Sequence, residues 1–186
     1  MDAVNLLMTR ESAMKLQAPG PSDDELDQMF ASAGRAPDHG KLRPWRFVVI
    51  PTDRRTAFGE VMADSLRRRM PEASVDMVQR ERDKAMRAPV IVVVAARVQK
   101  GHKIPEIEQI AAASAAAQTI MLAAPALGYG AMWKTGDPAY DPSVRQALGL
   151  MAEDEIIGFL YIGTQTGGPS NVPRPAAREH VAVWQG

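Results

Sequence analysis

Three short segments of the chain combine positive charge with hydroxyl or aromatic side chains, which are residue types that hold anionic ligands. The first segment contains Arg10, Ser12 and Lys15. A guanidinium can donate two hydrogen bonds to a phosphate, a hydroxyl can donate one, and an ammonium adds a compact positive charge. The same residues are compatible with a solvated turn, so their spacing leaves both interpretations open.

The other two segments lie next to predicted elements of secondary structure. One is a loop between a predicted helix and a predicted strand, and the other follows two closely spaced glycines. Their basic, hydroxyl and aromatic residues are Arg35, His39, Lys41 and Arg43 in the loop, and Trp133, Lys134 and Thr135 after Gly128 and Gly130. Glycine lets a ligand approach the backbone closely. A lone aromatic residue such as Trp45 is more often part of a core than a cofactor stack.

The common catalytic signatures are missing from the sequence. It has no GxSxG, HExxH, Walker or EF-hand motif, and without GxGxxG a nicotinamide cofactor is not held by a Rossmann turn. It has no cysteine, which excludes disulfides, thiolate metal ligands and a cysteine nucleophile and fits a reducing cytoplasm. The three histidines are isolated from one another in sequence, so we expect no histidine metal cluster.

Length and charge narrow the class of protein further. The chain has 186 residues, of which 22 are basic and 22 acidic, so it lacks the positive field typical of a nucleic-acid-binding protein. Its first residues contain neither a basic stretch nor a long apolar core, so we expect no signal peptide. We expect a single domain over residues 1–186, in the cytoplasm, with no nucleic-acid partner.

Hydrophobic periodicity predicts the helices and strands that must position these polar segments. Helices are predicted at residues 3–8, 22–33, 53–70, 74–86, 105–127 and 142–148, and strands at 45–50, 90–96, 131–134, 156–162 and 181–184. Ser22 and Glu25 have the spacing of a capping box at the start of the second helix. Helices and strands mix without strict alternation, which indicates an α+β fold with a small central mixed sheet flanked by helices.

The predicted helix at 105–127 is apolar enough to require a test against a membrane span. Residues 110–127 are 18 residues without a charge, which is near the minimum spanning length. Nine of these 18 residues are alanine, and alanine contributes little transfer free energy. We therefore expect no membrane partner and a soluble helix packed on every side, kinked at Pro125 and ended by Gly128.

Two further segments differ in composition from the predicted core. Residues 53–87 carry nine basic and seven acidic side chains. This mixture is typical of a solvated helix face, and a site for an anionic partner is the alternative. Residues 164–186 are rich in glycine and proline with little apolar content. This C-terminal arm cannot form its own core, so we expect it to pack on its own subunit or on a partner subunit.

Six motifs occur in order along the chain. They are Arg10-Glu11-Ser12, residues 35–39 with Pro44-Trp45, residues 123–128, Trp133-Lys134-Thr135-Gly136, residues 158–163, and Asn171-Val172-Pro173. Each motif is weak by itself, but together their order and spacing resemble the nitroreductase family of FMN flavoproteins over nearly the whole chain. The compact subgroup of NAD(P)H nitroreductases is the most similar.

The resemblance implies a nitroreductase-like α+β fold and an interlocked homodimer with FMN at the subunit interface. One subunit would contribute Arg10, Glu11, Ser12, Trp133, Lys134 and Thr135, and its partner Arg35 and His39. The nicotinamide nucleotide would be received by Ala123, Ala124, Pro125, Ala126, Leu127 and Gly128. A cation near flavin N1 and O2 would stabilise the reduced cofactor, and Lys15 and Lys41 are the candidates.

Three residues depart from the family pattern. Glu11 stands where the family usually has arginine, which removes one positive charge near the expected phosphate and leaves the backbone of Glu11 as the contact. Lys41 and Arg43 stand where many members have asparagine and glutamine. These two residues either raise the positive charge beside the flavin or extend into solvent.

The resemblance implies an FMN-dependent NAD(P)H oxidoreductase that transfers hydride from NAD(P)H through FMN to nitroaromatic or quinone-like acceptors in a ping-pong cycle. No catalytic side chain is required, because the flavin carries the chemistry while the protein binds and orients it. One alternative is another reaction of the same superfamily, that of a flavin destructase or a reductive dehalogenase. A second alternative is a non-catalytic flavin or porphyrin carrier.

Overall fold

A computed structural model of the chain describes residues 2–168 and 176–186. The helices are α1 (Ala3–Thr9), α2 (Asp23–Ala33), α3 (Arg55–Arg69), α4 (Val75–Asp83), α5 (Glu106–Ala126) and α6 (Pro142–Ala147). The strands are β1 (Leu16–Gln17), β2 (Trp45–Ile50), β3 (Val90–Arg97), β4 (Gly130–Lys134) and β5 (Asp154–Gln165). The α+β architecture is confirmed, and the predicted helices and the first four predicted strands agree with it to within a few residues.

The centre of the sheet is β5, which pairs with β3 along one edge and β4 along the other, while β2 pairs with the far edge of β3. The last two residues of β5 pair with β1. Every pairing among the described residues is antiparallel, so the expected mixed sheet is not found there. The hydrophobic pattern of a strand indicates which of its faces are buried but not its direction. The sequence therefore could not distinguish a mixed sheet from an antiparallel one.

Both faces of the sheet are covered, which explains the continuous apolar run of β3. Seven of its eight residues are buried, as expected for a strand with helices on both sides. One face packs against α2 and α5 through residues such as Val92 and Ile120. The other face packs against α3 and the following turns through residues such as Val93 and Phe58.

The helix termini follow the sequence signals. Ser22 precedes α2, and both halves of the capping box with Glu25 are formed, as predicted. The long helix α5 ends before Gly128, whose φ of +92° is the left-handed conformation that favours glycine at a helix end. Trp45, at the start of β2, is partly buried against the core, as expected for a core aromatic residue.

Helix α5 is not packed on every side, so that expectation was wrong. It has 21 residues and is about 30 Å long. Eight of its residues are buried, but Ile107 is 69% exposed, and Ala111 and Gln118 are exposed on the same side. Its length and composition would also suit a membrane span. The reason for the incomplete burial is that α5 lies across one face of the sheet and nothing in the described chain covers its outer side.

The C-terminal segment differs from prediction at two points. Strand β5 continues to Gln165 because its end pairs with β1, so the arm expected from residue 164 begins after the strand. Residues 181–186 form no strand, and the Trp184 side chain is 90% exposed. No described strand pairs with this segment. The Asn171-Val172-Pro173 motif lies outside the described residues.

Charged residues of α3 and α4 pair with one another at the surface, which agrees with a solvated helix face. Arg82 on α4 binds Glu60 on α3, with an Nε–Oε1 distance of 2.5 Å. Arg67 binds Asp64 one turn earlier on α3. Exposed pairs of this kind contribute little to stability, and they need no anionic partner.

A buried carboxylate fixes the start of β5 against the end of β3. Asp154 is fully buried and accepts hydrogen bonds from Arg97 at 2.8 and 3.0 Å and from the Met151 N–H at 2.8 Å. Burial alone would raise the pKa of Asp154, but these hydrogen bonds and the charge of Arg97 outweigh it. The pKa of Asp154 is therefore lowered.

We expect Asp154→Asn to lower the free energy of unfolding at neutral pH by about 1–3 kcal/mol, because Arg97 and the Met151 N–H lose a charged acceptor. The carboxylate has a lower pKa in the folded than in the unfolded chain. Its contribution is thus present above its unfolded pKa of ~3.9 and is lost as pH falls through the folded value. Urea unfolding over a pH series should show wild type and variant converging in acid.

The control for this prediction is Asp53→Asn, because Asp53 is exposed and forms only a surface pair with Arg54. Its effect should stay within about 0.5 kcal/mol at every pH. A difference between wild type and Asp154→Asn that stays constant down to acid pH would contradict the ion-pair explanation.

Candidate functional site

Residues 10–16, which we call segment 10–16, pack directly on β4. The Ala13 N–H donates to the Ala131 carbonyl at 2.9 Å. Gly130 permits this contact, because a Cβ atom there would lie 2.8 Å from the Cβ atoms of Ala13 and Gln165. The structure therefore brings together the first and third basic segments found in the sequence, one on segment 10–16 and one at the end of β4.

Two cavities adjoin this contact. The smaller, which we call the Arg10 cavity, has a volume of about 160 Å³ and is lined by Leu6, Thr9, Arg10, Glu11, Pro125, Tyr129, Gly130, Ala131 and Gln165. In it Gln165 donates a hydrogen bond to Glu11 at 3.0 Å. The Arg10 cavity thus combines one positive and one negative side chain at the C-terminal end of α5.

The segment expected to receive a nicotinamide nucleotide forms the last turn of α5 and its end. Pro125 lines the Arg10 cavity, whereas Ala124 is fully buried in the core. Ala126 and Gly128 are exposed, and Ala123 and Leu127 are partly buried. Part of this segment therefore belongs to the core and part faces solvent, and its role in receiving a nucleotide stays a prediction.

The larger cavity, which we call the Lys134 cavity, has a volume of about 270 Å³. It is lined by Ala13, Met14, Leu16, Arg87, Met132, Lys134 and Tyr161. Two of these side chains are cationic and none is acidic. Sequence reasoning missed Arg87 and Tyr161, because Arg87 ends a charge-rich helical region and Tyr161 lies in an apolar strand. Only the folded sheet brings them to Lys134.

Tyr161 is the buried polar residue of this cavity. Its side chain is 3% exposed, and burial raises the pKa of Tyr161 to about 12. The positive charge of Arg87 lowers this pKa and the negative charge of Glu81 raises it, so both groups lie within electrostatic reach. The phenol remains protonated at neutral pH and is available as a hydrogen-bond donor.

The second basic segment lies elsewhere in the same chain. His39 Nδ1 is 2.6 Å from Glu108 Oε2, in the first turn of α5, whereas Pro125 at the Arg10 cavity is in the last turn. The 17 intervening steps of 1.5 Å place the two ends about 25 Å apart. A single chain therefore does not bring His39 to the Arg10 cavity.

The loop that carries His39 has an unusual backbone. Gly40, Lys41 and Arg43 have φ values of +75°, +56° and +48°, and left-handed conformations at the two non-glycine residues cost free energy. The Asp38 carboxylate accepts a hydrogen bond from the Arg43 N–H at 2.7 Å and holds this conformation. The loop presents Lys41 and Arg43 as exposed side chains.

The residues of the Trp133-Lys134-Thr135 motif, at the end of β4, have different environments. The Trp133 indole donates to the Ile157 carbonyl at 3.3 Å and packs against the core on the α5 face. Lys134 and Thr135 are exposed, as are Lys15 and Arg35, while Ser12 is partly buried. Within residues 2–168 and 176–186, no group of three His, Asp or Glu residues could hold a metal ion.

Comparisons with known proteins decide the family. Residues 7–164 match the family model described as "Nitroreductase family". The chain belongs to the nitroreductase family. It is 36% identical over 179 residues to the Escherichia coli protein named "Putative NAD(P)H nitroreductase YdjA", covering 94% of this chain and 96% of that protein. It is 33% identical over 165 residues to a Haemophilus influenzae protein named "Putative NAD(P)H nitroreductase", covering 88% and 89%.

Solved structures share the nitroreductase fold. A nitroreductase-like protein from Bacillus cereus matches with a TM-score of 0.86 at 23% identity over 100% of this chain and 97% of that chain. A Desulfovibrio desulfuricans protein described as a nitroreductase in complex with FMN matches with a TM-score of 0.75 at 23% identity, covering 96% and 95%. The nitroreductase-like fold expected from the sequence motifs is thus confirmed.

Proposed function

We propose that this nitroreductase-family protein is an FMN-dependent NAD(P)H oxidoreductase that reduces quinone-like or nitroaromatic acceptors. The observation that carries the proposal is the packing of segment 10–16 on β4 through Ala13 and Ala131. In a chain of this family, that contact places the Arg10, Ser12 and Lys134 segments side by side. We propose NAD(P)H as the electron donor because the relatives are named NAD(P)H nitroreductases.

The residues around this contact fit one end of FMN. Lys134 and Arg87 supply positive charge beside apolar walls, and Gly130 leaves the space in which segment 10–16 packs on β4. Pockets for whole small molecules usually measure ~300–1,000 Å³, and neither cavity reaches this size in one chain. We infer that the phosphate end binds here and that a second chain completes the site.

The predicted residues of segment 10–16 and of the end of β4 divide the binding of FMN among them. Arg10, Ser12 and Lys134 hold the phosphate, Thr135 adds a hydroxyl donor, and Glu11 contributes only its backbone. Trp133 supports the adjoining residues from the core. Lys15, and the partner chain's equivalent of Lys41, place positive charge toward the flavin ring.

When bound, FMN supplies the hydride chemistry that no side chain of this protein can perform. The protein's own task is to bind and orient donor and acceptor in turn, which is a ping-pong cycle. One hydride from NAD(P)H and one proton from solvent convert a quinone to a hydroquinone. Residues 123–128 offer small side chains at the end of α5 where the nucleotide approaches.

A homodimer explains why the basic segments lie at opposite ends of α5. In a two-fold pair with antiparallel α5 helices, the His39 end of one chain meets the Pro125 end of the other. The uncovered side of α5, which includes Ile107, would pack in that interface. Helix α1 has no buried residue, and its exposed Leu7 provides further apolar surface.

The C-terminal arm fits the same assembly. Val181, Val183 and Trp184 are 56%, 71% and 90% exposed, and no described part of the chain covers them. Several exposed apolar side chains close together are typical of a surface that binds another protein chain. We propose that the arm packs on the other subunit of a cytoplasmic dimer.

Anaerobic mixing with NADH or NADPH tests the function directly. We expect at least one nucleotide to bleach the visible absorbance of the purified FMN-bound protein rapidly, and a quinone or nitroaromatic acceptor to restore it. Parallel lines in double-reciprocal plots would identify a ping-pong cycle. A protein that binds FMN but is not reduced by either nucleotide would be a flavin carrier, which would refute the proposal.

Arg10→Ala and Lys134→Ala should each weaken FMN binding by roughly ten- to a hundred-fold, because each removes a charged hydrogen bond to phosphate. Ser12→Ala removes a single neutral donor and should cost less. Riboflavin, which lacks the phosphate, should bind all variants equally weakly. Titration of the flavin-free protein with both ligands measures this. Equal losses for FMN and riboflavin would show that these residues support the fold or the ring.

Mixed dimers test whether His39 acts on the partner's site. Arg10→Ala and His39→Ala chains with different affinity tags are co-expressed, and the heterodimer is isolated by tandem purification. A shared site predicts that the heterodimer has one intact site, because the two changes fall in the same one of its two symmetry-related sites. Each homodimer should retain little FMN, and the heterodimer about half the wild-type content.

The mixed-dimer experiment has a clear contrary result. If Arg10 and His39 served the same chain's site, every site of the heterodimer would carry one defect and none would be intact. A chain that elutes as a monomer in gel filtration would refute the dimer itself.

A further inference from the structure

We infer that Arg43, Lys100 and Lys103 of one subunit bind the 2′-phosphate of NADPH at the site of the other subunit, so that the protein uses NADPH in preference to NADH. The inference rests on the proposed function and names the electron donor that this function leaves open. Both lysines lie in residues 99–104, which connect β3 to α5. We call residues 99–104 the basic loop, and none of the motifs that carry the family resemblance contains it.

The basic loop and the His39 loop leave the same end of the sheet side by side. The pairing of β2 with β3 continues beyond β2, because the Arg97 N–H donates to the Pro44 carbonyl at 2.7 Å. Arg43 directly precedes this pair, and the basic loop begins two residues after it. At Gly40, a Cβ atom would collide with Ile104 Cδ1, so the two loops are in contact. The fold therefore places Arg43 next to the basic loop.

A buried side chain holds the basic loop in one conformation. Gln109 is 2% exposed. It accepts a hydrogen bond from the Gln99 N–H at 2.8 Å and donates to the carbonyls of Gln99 and Ile104 at 3.2 and 3.0 Å. The Ile104 N–H also donates to His102 Nδ1 at 3.0 Å. These bonds join the two ends of the loop, so its lysines start from a fixed backbone and lose less entropy when they bind a ligand.

Arg43 is presented from a strained backbone. Its φ of +48° is in the left-handed region, which costs free energy in a residue other than glycine and is typical of functional sites. The Asp38 carboxylate offsets this cost by accepting the Arg43 N–H at 2.7 Å. This bond uses the backbone of Arg43, and the exposed guanidinium keeps its fork of donors for a phosphate.

Exposed cations outnumber carboxylates at this end of the molecule. Five exposed cations form no ion pair with any described residue, namely Arg35, Lys41, Arg43, Lys100 and Lys103. The carboxylates on the same loops and the first turn of α5 are Asp38, Glu106 and Glu108, and Glu108 contacts His39. A phosphate monoester carries nearly two negative charges at neutral pH, so it is attracted here. NADH has an uncharged hydroxyl at the same position.

The proposed dimer brings this surface to the nucleotide. The basic loop precedes α5 and residues 123–128 end it, so within one chain 21 helical residues keep them about 30 Å apart. With antiparallel α5 helices, the basic loop of one subunit meets residues 123–128 of its partner. The nicotinamide must reach the flavin, and the 2′-phosphate is at the far end of the dinucleotide. It therefore meets the outer cations Arg43, Lys100 and Lys103, while Lys41 stays with the flavin ring.

A second basic surface, at the end of α3, does not share these features. It borders an open cavity of about 520 Å³, but its charged groups already have partners. Arg69 pairs with Asp137, and Arg68 donates to Ser143. A phosphate bound there would have to displace these partners.

Steady-state kinetics of the FMN-bound protein with each nucleotide and one quinone acceptor test the inference. We expect kcat/KM to be roughly ten- to a hundred-fold higher for NADPH than for NADH. Lys100→Gln, Lys103→Gln and Arg43→Gln should each raise the KM for NADPH by roughly three- to ten-fold, because exposed charged hydrogen bonds are partly screened. The KM for NADH should change less than about two-fold. Arg80→Gln is the matched control, because Arg80 is exposed on α4 and should alter neither value.

A binding measurement separates this site from hydride transfer. Calorimetric titration of the FMN-bound protein compares adenosine 2′,5′-bisphosphate with adenosine 5′-monophosphate, which differ only in the 2′-phosphate. We expect the bisphosphate to bind roughly ten-fold more tightly or better. This advantage should shrink in Lys103→Gln and at high ionic strength, but not in Arg80→Gln.

Other results would overturn the inference. Equal use of NADPH and NADH, or an NADPH preference that all three variants retain, would exclude a 2′-phosphate contact at these residues. Equal losses for both nucleotides would do the same. If neither nucleotide reduces the flavin, the proposed function fails separately, and the titration then decides. A bisphosphate preference that Lys103→Gln reduces would keep the site, whereas no preference, or one that persists in this variant, would remove it.

Discussion

The close approach of two backbones at Gly130 is the constraint on which the rest of the site depends. Because Gly130 has no side chain, segment 10–16 lies against β4, and the Ala13 N–H reaches the Ala131 carbonyl. This contact places residues from the start of the chain beside residues more than a hundred positions later. Both cavities adjoin this contact, which a side chain at position 130 would obstruct.

The length of helix α5 is the second constraint, because it sets the distance between the His39 loop and the Arg10 cavity. A helix of 21 residues is rigid, so it keeps the His39 loop and the Arg10 cavity apart within a chain. The sheet and α2 pack on this helix, but the side that carries Ile107 is exposed. The proposed site needs residues from both ends of α5, and the exposed side of α5 needs a cover. A second copy of the chain would provide both.

The sequence predicted local structure better than long-range relations. The capping box of Ser22, the buried strand β3 and the long apolar helix follow from patterns of neighbouring residues, and the structure agrees. The antiparallel sheet and the two-residue strand β1 depend on pairing between distant segments, which periodicity does not encode. The family motifs led to Arg10 and Lys134, but Arg87 and Tyr161 look like an ordinary helix-end charge and an ordinary strand residue. Their grouping exists only in three dimensions, and the roles of all these residues remain predictions.

The division of basic residues between the two ends of α5 has a thermodynamic consequence. In a site built from two chains, the affinity of the subunits for each other and their affinity for the cofactor are linked, and each raises the other by the same factor. Dilution then favours loss of cofactor, and abundant cofactor favours assembly by mass action. In a dimer built as proposed here, protein concentration and flavin supply would jointly set how much of the chain is assembled.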